Sequence, residues 1–107
     1  MIVVTTEHVS GQQETTSLGL VRGSSIRARH IGKDIMAGFR NIAGGEVHEY
    51  SKLLGESREQ AIDRMIEEAE ALGADAIIGV RFQTSMVMQG AAEMLCYGTA
   101  VKLEAAF

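Results

Sequence analysis

The order of apolar and polar positions predicts two extended segments at the start of the chain. Residues 2–5 are aliphatic or β-branched, and residues 15–29 form a second predicted strand after a polar break at Gly11. In this second segment the period of two predicts one shared face for Thr16, Leu18, Leu20 and Ile26. Gly19 and Gly23 interrupt the segment, and each indicates a β-bulge or a close approach of another backbone.

A change of spacing to three and four residues predicts two helices. The short helix covers 31–43, ends at Gly44 and Gly45, and has an apolar stripe of Ile31, Ile35, Phe39 and Ile42. The long helix covers 46–72, with Gly73 as its C-terminal stop. Its apolar stripe consists of Val47, Tyr50, Leu54, Ala61, Met65, Ala69 and Leu72, and its opposite face is acidic.

The last third of the chain predicts a hairpin of two strands, 75–88 and 93–103, with a turn that contains Gly90. In the first strand, six residues are predicted to share one face: Ala76, Ile78, Val80, Phe82, Met86 and Met88. The second strand is apolar or small on both faces, where Leu95, Tyr97, Val101 and Leu103 alternate with Met94, Cys96, Gly98 and Ala100. A helix covers only one side of a two-layer domain, so we expect a second copy of the chain to cover the other side.

Composition limits the chain to one small globular domain, residues 1–107. With 46% hydrophobic and 22% charged residues and no proline, it differs from disordered and low-complexity chains. A formal net charge of −4, 5% aromatic residues and no tryptophan are unfavourable for binding nucleic acid. The chain has one cysteine, no basic leader and no apolar run long enough for a bilayer. We therefore expect a cytoplasmic protein without a membrane partner.

Three ordered runs of residues carry a resemblance to a known family. They are LGLVRGSSI (18–26), AGFRNIAGG (37–45) followed by Tyr50, and LGADAIIGV (72–80) followed by CYGTAVK (96–102). With these runs the chain resembles the YbjQ-like family, uncharacterised small bacterial proteins that are named for heavy-metal binding. The resemblance implies a two-layer α+β subunit similar to the dodecin subunit, with an antiparallel sheet against a short and a long helix. It also implies assembly into a ring-shaped homopentamer.

Four sulfur-containing side chains form one candidate metal site: Met86, Met88, Met94 and Cys96. Soft metals such as copper(I) prefer thiolate and thioether ligands. A three-residue loop, 89–91, would place all four sulfurs on one face, whereas a two-residue loop, 90 and 91, would place the two pairs on opposite faces. The alternative is ordinary core packing, because methionine and free cysteine are common core residues.

His48 is a second metal candidate, since with Glu49 it could bind a divalent ion at an oligomer axis. The alternative is a solvated helix face, because the three histidines lack the spacing of zinc motifs. Arg22, Arg40 and Tyr50 lie in or beside the family runs. They are candidates for holding a small anionic ligand between subunits, or for hydrogen bonds at interfaces and helix caps.

No nucleophile motif, Cys/His motif or phosphate loop is present in the sequence, so we expect no enzyme. The sequence predicts a homo-oligomeric module that binds a soft or divalent heavy metal or a small ligand. The alternative is a structural or interaction scaffold without metal, and an enzyme is the third and unsupported class.

Overall fold

The chain folds into a four-stranded sheet with a long helix on one side. The computed structural model describes residues 1–28, 45–88 and 91–105. Its strands are β1 (Ile2–Val3), β2 (Gln12–Ala28), β3 (Ala76–Met88) and β4 (Ala91–Ala105), and its helix, α1, spans Gly45–Ala71. These elements confirm the α+β class and the long helix. The predicted short helix over 31–43 lies outside the described residues.

The sheet is mixed, which corrects the prediction of a purely antiparallel sheet. The strand order is β1-β3-β4-β2, and β4 is antiparallel to both of its neighbours. β1 runs parallel to β3 and pairs Ile2 with Ala76 and Val3 with Ile77. A parallel pair needs a long crossover connection, which β2 and α1 provide here. The pattern of residues 2–5 predicts an extended segment but not the direction in which it pairs, so the parallel pairing of β1 with β3 could not be predicted.

α1 packs directly on the backbone of β2. A Cβ at Gly23 would overlap the carbonyl oxygen of Ala61 and the amide nitrogen of Met65. Of the two alternatives predicted at Gly23, a bulge or a close backbone approach, this contact confirms the second. Ala61, Met65 and Ala69 form one fully buried stripe because they recur every four residues. Opposite this stripe, six residues of the sheet complete the core: Val21, Ile77, Val80, Met94, Cys96 and Ala100.

The C-terminal end of α1 confirms the predicted glycine stop. Gly73 has a φ of 77°, and its N–H donates to the carbonyl of Glu70 at 2.9 Å. The N–H of Ala74 donates to the carbonyl of Ala69 at 3.1 Å. These bonds satisfy carbonyls of the last turn. The outer face of α1 carries the exposed acidic residues Glu56, Glu59, Asp63, Glu67 and Glu70. Among the described residues, the helical ones contain no apolar stretch of the length that a bilayer span requires.

Bulges change which side chains of β2 share a face. The register shifts between Glu14 and Thr16 and again between Ser17 and Gly19, where Gly19 has a φ of 103°. Leu18 packs against the core, whereas Leu20 is 60% exposed on the face away from α1. The predicted common face for the even positions is therefore wrong, because an inserted residue reverses the alternation.

A bulge also reverses the alternation in β3. The register shifts between Ile78 and Arg81, and Gly79 has a φ of 61°. Ile77 and Val80 both belong to the core beneath α1, whereas Ile78 pairs with Thr99 on the opposite face, in line with the exposed Leu20. The prediction that one face carries Ala76, Ile78, Val80, Phe82, Met86 and Met88 is therefore wrong. The period of two holds only within an uninterrupted strand.

The side of the sheet opposite α1 is called the open face here. Its central residues form four rows across β2, β4 and β3: Leu20–Thr99–Ile78, Arg22–Tyr97–Arg81, Ser24–Leu95–Gln83 and Ile26–Glu93–Ser85. Leu20, Ile26 and Tyr97 are 60%, 61% and 36% exposed, respectively. β4 thus presents apolar or small side chains on both faces, as predicted, and α1 covers one of these faces.

Candidate functional site

The structure does not bring the four sulfur side chains to one face of the sheet. Met86 pairs with Ala92 and Met88 pairs with Ala91, and the register shifts between these two pairs. Because paired residues share a face, Met86 lies on the same side as Met94 and Cys96, and Met88 lies on the other side. Neither of the two predicted loop geometries is observed, since the shift occurs within the paired strands.

Met94 and Cys96 are core residues. Cys96 is fully buried, Met94 is 9% exposed, and the hydroxyl of Thr84 donates to the Met94 sulfur at 3.4 Å. Burial raises the pKa of the Cys96 thiol, although a hydrogen bond with the Gly23 backbone opposes this shift. A metal ligand must be the thiolate, so a buried neutral thiol favours the core-packing alternative for this residue.

The other candidates occupy separate parts of the chain. Arg22 is exposed on the open face, where it lies across from Tyr97. His48 and Tyr50 belong to the first two turns of α1. Arg40 lies outside the described residues. A ligand site shared by Arg22, Arg40 and Tyr50 therefore stays a prediction, and so does a metal site at His48.

A cleft of about 310 Å³ lies at one end of the open face, beside the beginning of β2. We call it the His8 cleft, and it is lined by Glu7, His8, Glu14, Thr15, Thr16, Ser17, Ile78, Thr99 and Val101. β3 and β4 supply its floor, and the loop after β1 and the first residues of β2 supply its walls. No sequence motif connects the residues of this cleft, because only the strand pairing brings them together, so the cleft could not be predicted.

His8 and Glu14 form the polar pair of the cleft. The Nδ1 atom of His8 lies 3.2 Å from each carboxylate oxygen of Glu14. The His8 side chain is 81% exposed and that of Glu14 is 22% exposed. The Thr6 hydroxyl donates to the His8 carbonyl at 2.7 Å, and Gly11 turns the chain with a φ of 74°. When Nδ1–H donates to Glu14, Nε2 keeps its lone pair for another partner.

The charge of Glu14 is stabilised at this position. The pKa of its carboxyl lies below the ordinary value of 4.5, chiefly because its own backbone N–H donates to it. The hydrogen bond with His8 is the second cause. Glu14 is therefore a carboxylate at neutral pH and a constant acceptor for the His8 ring.

Glu7 belongs to the wall of the cleft and faces Gly79 and Arg81. Its Oε1 atom lies 3.4 Å from the position that a Cβ on Gly79 would take, and 3.7 Å from Nη2 of Arg81. Arg81 also donates to the carbonyls of Thr5 and Val80, both at 2.9 Å. These contacts hold the loop at the edge of β3.

The described residues do not supply a complete metal site. Within residues 1–28, 45–88 and 91–105, no three His, Cys, Asp or Glu side chains come together in an arrangement that could hold a metal ion. His8 and Glu14 provide one oriented imidazole and its carboxylate partner. A metal ion at this position would need further ligands beyond these two residues.

Comparison with known proteins shows close relatives and a similar fold. A UPF0145 protein of Methanosarcina acetivorans is 60% identical over 103 residues, which cover 96% of this chain and 97% of the relative. A UPF0145 protein of Clostridioides difficile is 59% identical over 97% of this chain and 93% of its own. A crystal structure from Pediococcus pentosaceus, a DUF74-family protein of unknown function, matches with a TM-score of 0.63. It shares 19% identity over 97% of this chain and 98% of its own. This structure shows the fold alone.

The family assignment rests on nearly the whole chain. A family model with the description "putative heavy-metal-binding" matches residues 1–104. Together with the identity to the UPF0145 proteins, this match confirms the resemblance that the three sequence runs carry. The chain belongs to the uncharacterised YbjQ family.

Proposed function

We propose that the protein is a non-catalytic, homo-oligomeric module that binds a divalent heavy-metal ion at the His8 cleft. The observation that supports this function is the His8–Glu14 pair, in which an exposed imidazole faces a carboxylate through Nδ1 at 3.2 Å. Histidines that bind metals usually donate their other ring N–H to a carboxylate or carbonyl, which fixes the tautomer and raises ligand basicity. In this proposal Nε2 of His8 is the metal ligand, and Glu14 orients the ring.

The oligomer completes the coordination in this proposal. Zinc takes four nitrogen, oxygen or sulfur ligands, and the described part of one chain offers no set of three. A ring of identical subunits can place ligands from neighbouring copies at one point. We therefore propose a cytoplasmic, dodecin-like homopentamer in which a neighbouring copy and water supply the remaining ligands. An imidazole donor suits zinc, nickel or copper(II).

Titration of the tag-free protein with zinc, nickel and copper(I) tests this function. We expect stoichiometric zinc binding that His8→Gln abolishes and that Glu14→Gln weakens by about 10–100-fold. Cys96→Ser and His48→Gln are the matched controls, and both should bind zinc as the wild type does. Copper(I) binding that depends on Cys96 would move the site to the sulfur group, and zinc binding that depends on His48 would move it to α1. Absence of any metal uptake would contradict the proposal.

The second candidate is a structural or interaction scaffold that binds no metal. Its specific support is the open face, where Leu20 and Ile26 are largely exposed, together with the incomplete ligand set in the described ranges. Such exposed apolar surface is typical of a protein contact site. A scaffold would form the oligomer and take up none of the three metals, which separates it from the first candidate in the same titration.

A further inference from the structure

The sheet has two free edges, one on each side. Among the described residues, no strand pairs with the outer side of β2, and β1 pairs only with Ala76 and Ile77 of β3. The loop after β1 continues along β3 only to Val80, whose N–H donates to the carbonyl of Val4 at 3.1 Å. We call residues 20–28 the β2 edge and residues 82–88 the β3 edge.

The two edges lie at the same level of the sheet and run in the same direction. Ile26 and Ser85 both pair with Glu93 of β4, from opposite sides. β2 and β3 are each antiparallel to β4, so they are parallel to each other. A rotation about an axis along the strands would therefore bring the β2 edge of one copy beside the β3 edge of the next, without a change of level.

The two edges carry few of the features that usually prevent strands from pairing between molecules: a register shift between Met86 and Met88 affects only the end of the β3 edge, and the charged residues of the β2 edge are Arg22 and Arg27. Neither edge contains proline or lysine, and the β3 edge has no charged residue. The β2 edge has a regular register with β4 throughout its length. Ile26 in the β2 edge is 61% exposed, and Met86 in the β3 edge is 70% exposed. A long, regular edge with exposed apolar side chains is a template for pairing with another chain.

We propose that the β2 edge of one copy pairs in parallel with the β3 edge of a second copy, so that the sheets continue head to tail. This inference rests on the oligomeric part of the proposed function and names the surfaces that form the oligomer. Each contact uses two different surfaces, and such heterologous contacts generate a closed ring when the rotation between copies closes. Every copy carries both edges, so a second copy of this chain is the partner, and the closed ring leaves neither edge free.

Two lysine variants test this pairing, one for each edge. Ile26→Lys blocks the β2 edge and Met86→Lys blocks the β3 edge, and both positions are exposed in the folded subunit. By sedimentation velocity we expect each variant alone to associate at least tenfold more weakly and to sediment as a monomer of about 11.5 kDa. An equal mixture should form a dimer, because the β3 edge of Ile26→Lys and the β2 edge of Met86→Lys are both intact. Leu72→Lys, at an exposed position away from both edges, should keep the wild-type mass.

Three results would overturn the pairing. The first is a wild type that sediments as a monomer, and the second is an equal mixture of the two variants that stays monomeric. The third is one edge variant that keeps the wild-type mass, which would indicate that two identical edges pair with each other. Circular dichroism verifies that each variant is folded, and Ser24→Lys with Thr84→Lys provides a second pair if either variant is not. Zinc titration is separate: a ring that behaves as expected but binds no zinc contradicts only the metal site. Zinc binding by a monomeric wild type contradicts only the pairing and the ring.

Discussion

Gly23 of β2 and Ala61 of α1 are in backbone contact, with no room for a side chain between them. A Cβ at Gly23 would overlap the Ala61 carbonyl oxygen, and it would also lie 3.0 Å from Cβ of Arg64. Beside this contact, Nη1 of Arg64 donates to the Ser24 carbonyl at 2.5 Å. The helix therefore lies on the strand backbone itself, and side-chain hydrogen bonds fix its position along β2.

Gly23→Ala should destabilise the folded chain by about 1–3 kcal/mol, because the overlapping atoms belong to the helix backbone and cannot rotate away. Gly55→Ala is the matched control. The nearest atom to its added Cβ would be Nη2 of Arg58 at 3.8 Å, so we expect a gain of about 0.5–1 kcal/mol from higher helix propensity. Urea unfolding measures both changes, and equal stability of Gly23→Ala and the wild type would show that the helix does not lie on this glycine.

Gly79→Ala should destabilise the folded chain by about 1–2 kcal/mol, because residue 79 has a φ of 61° and alanine is strained there. The added Cβ would also lie 3.4 Å from the Glu7 carboxylate at the wall of the His8 cleft. Gly79→Asn should cost less, since asparagine tolerates a positive φ better than alanine does. Thermal unfolding of the two variants checks this order, and an alanine variant as stable as the wild type would contradict the bulge geometry.

Cys96 should make the free energy of unfolding depend on alkaline pH. Burial raises the pKa of its thiol in the folded chain above the ordinary value of 9.0. This contribution to stability is fully present below the unfolded pKa, and it is lost as pH rises through the folded pKa, because only the unfolded chain ionises easily. We expect the wild type to lose stability above about pH 8.5 relative to Cys96→Ala. Denaturant unfolding at several pH values measures this difference, and the same pH dependence in both proteins would contradict a buried thiol.

Glu14 should titrate below 4.5 in the folded protein, because its backbone N–H and then the His8 ring stabilise the carboxylate. His8→Gln should raise this pKa only part of the way, since the larger cause remains. The lowered pKa stabilises the fold above the unfolded value, and this contribution is lost as pH falls through the folded value. Carbon-13 NMR of the carboxyl group measures the midpoint. A wild-type midpoint at or above 4.5 would mean that the pair is absent in solution.

The long helix and its glycines could be predicted from the sequence because their signals are local. The four-residue recurrence of Ala61, Met65 and Ala69 defines a buried stripe, and Gly73 ends the helix through its positive φ. The faces of β2 and β3 could not be predicted. Gly79 forms a bulge whereas Gly23 allows close packing, and the pattern around each glycine does not distinguish these roles.

The His8 cleft could not be predicted because its parts meet only through tertiary pairing. His8 and Glu14 are brought together by the turn at Gly11, and Thr99 reaches the same place through the pairing of β2 with β4. The spacing of the three histidines along the chain contains no metal motif. The group of Met86, Met88, Met94 and Cys96, in contrast, could be recognised in the sequence. The register shift between Met86 and Met88 places Met88 on the face opposite the other three sulfurs.

We propose that His8, oriented by Glu14, holds a divalent metal ion. An anomalous difference map at the zinc absorption edge, from crystals of the tag-free protein grown with zinc, tests this site. We expect a peak about 2.0–2.1 Å from Nε2 of His8, with Nδ1 of the same ring hydrogen-bonded to Glu14. A peak at Cys96 or His48 instead, or no peak at His8 with zinc in excess, would contradict the proposal.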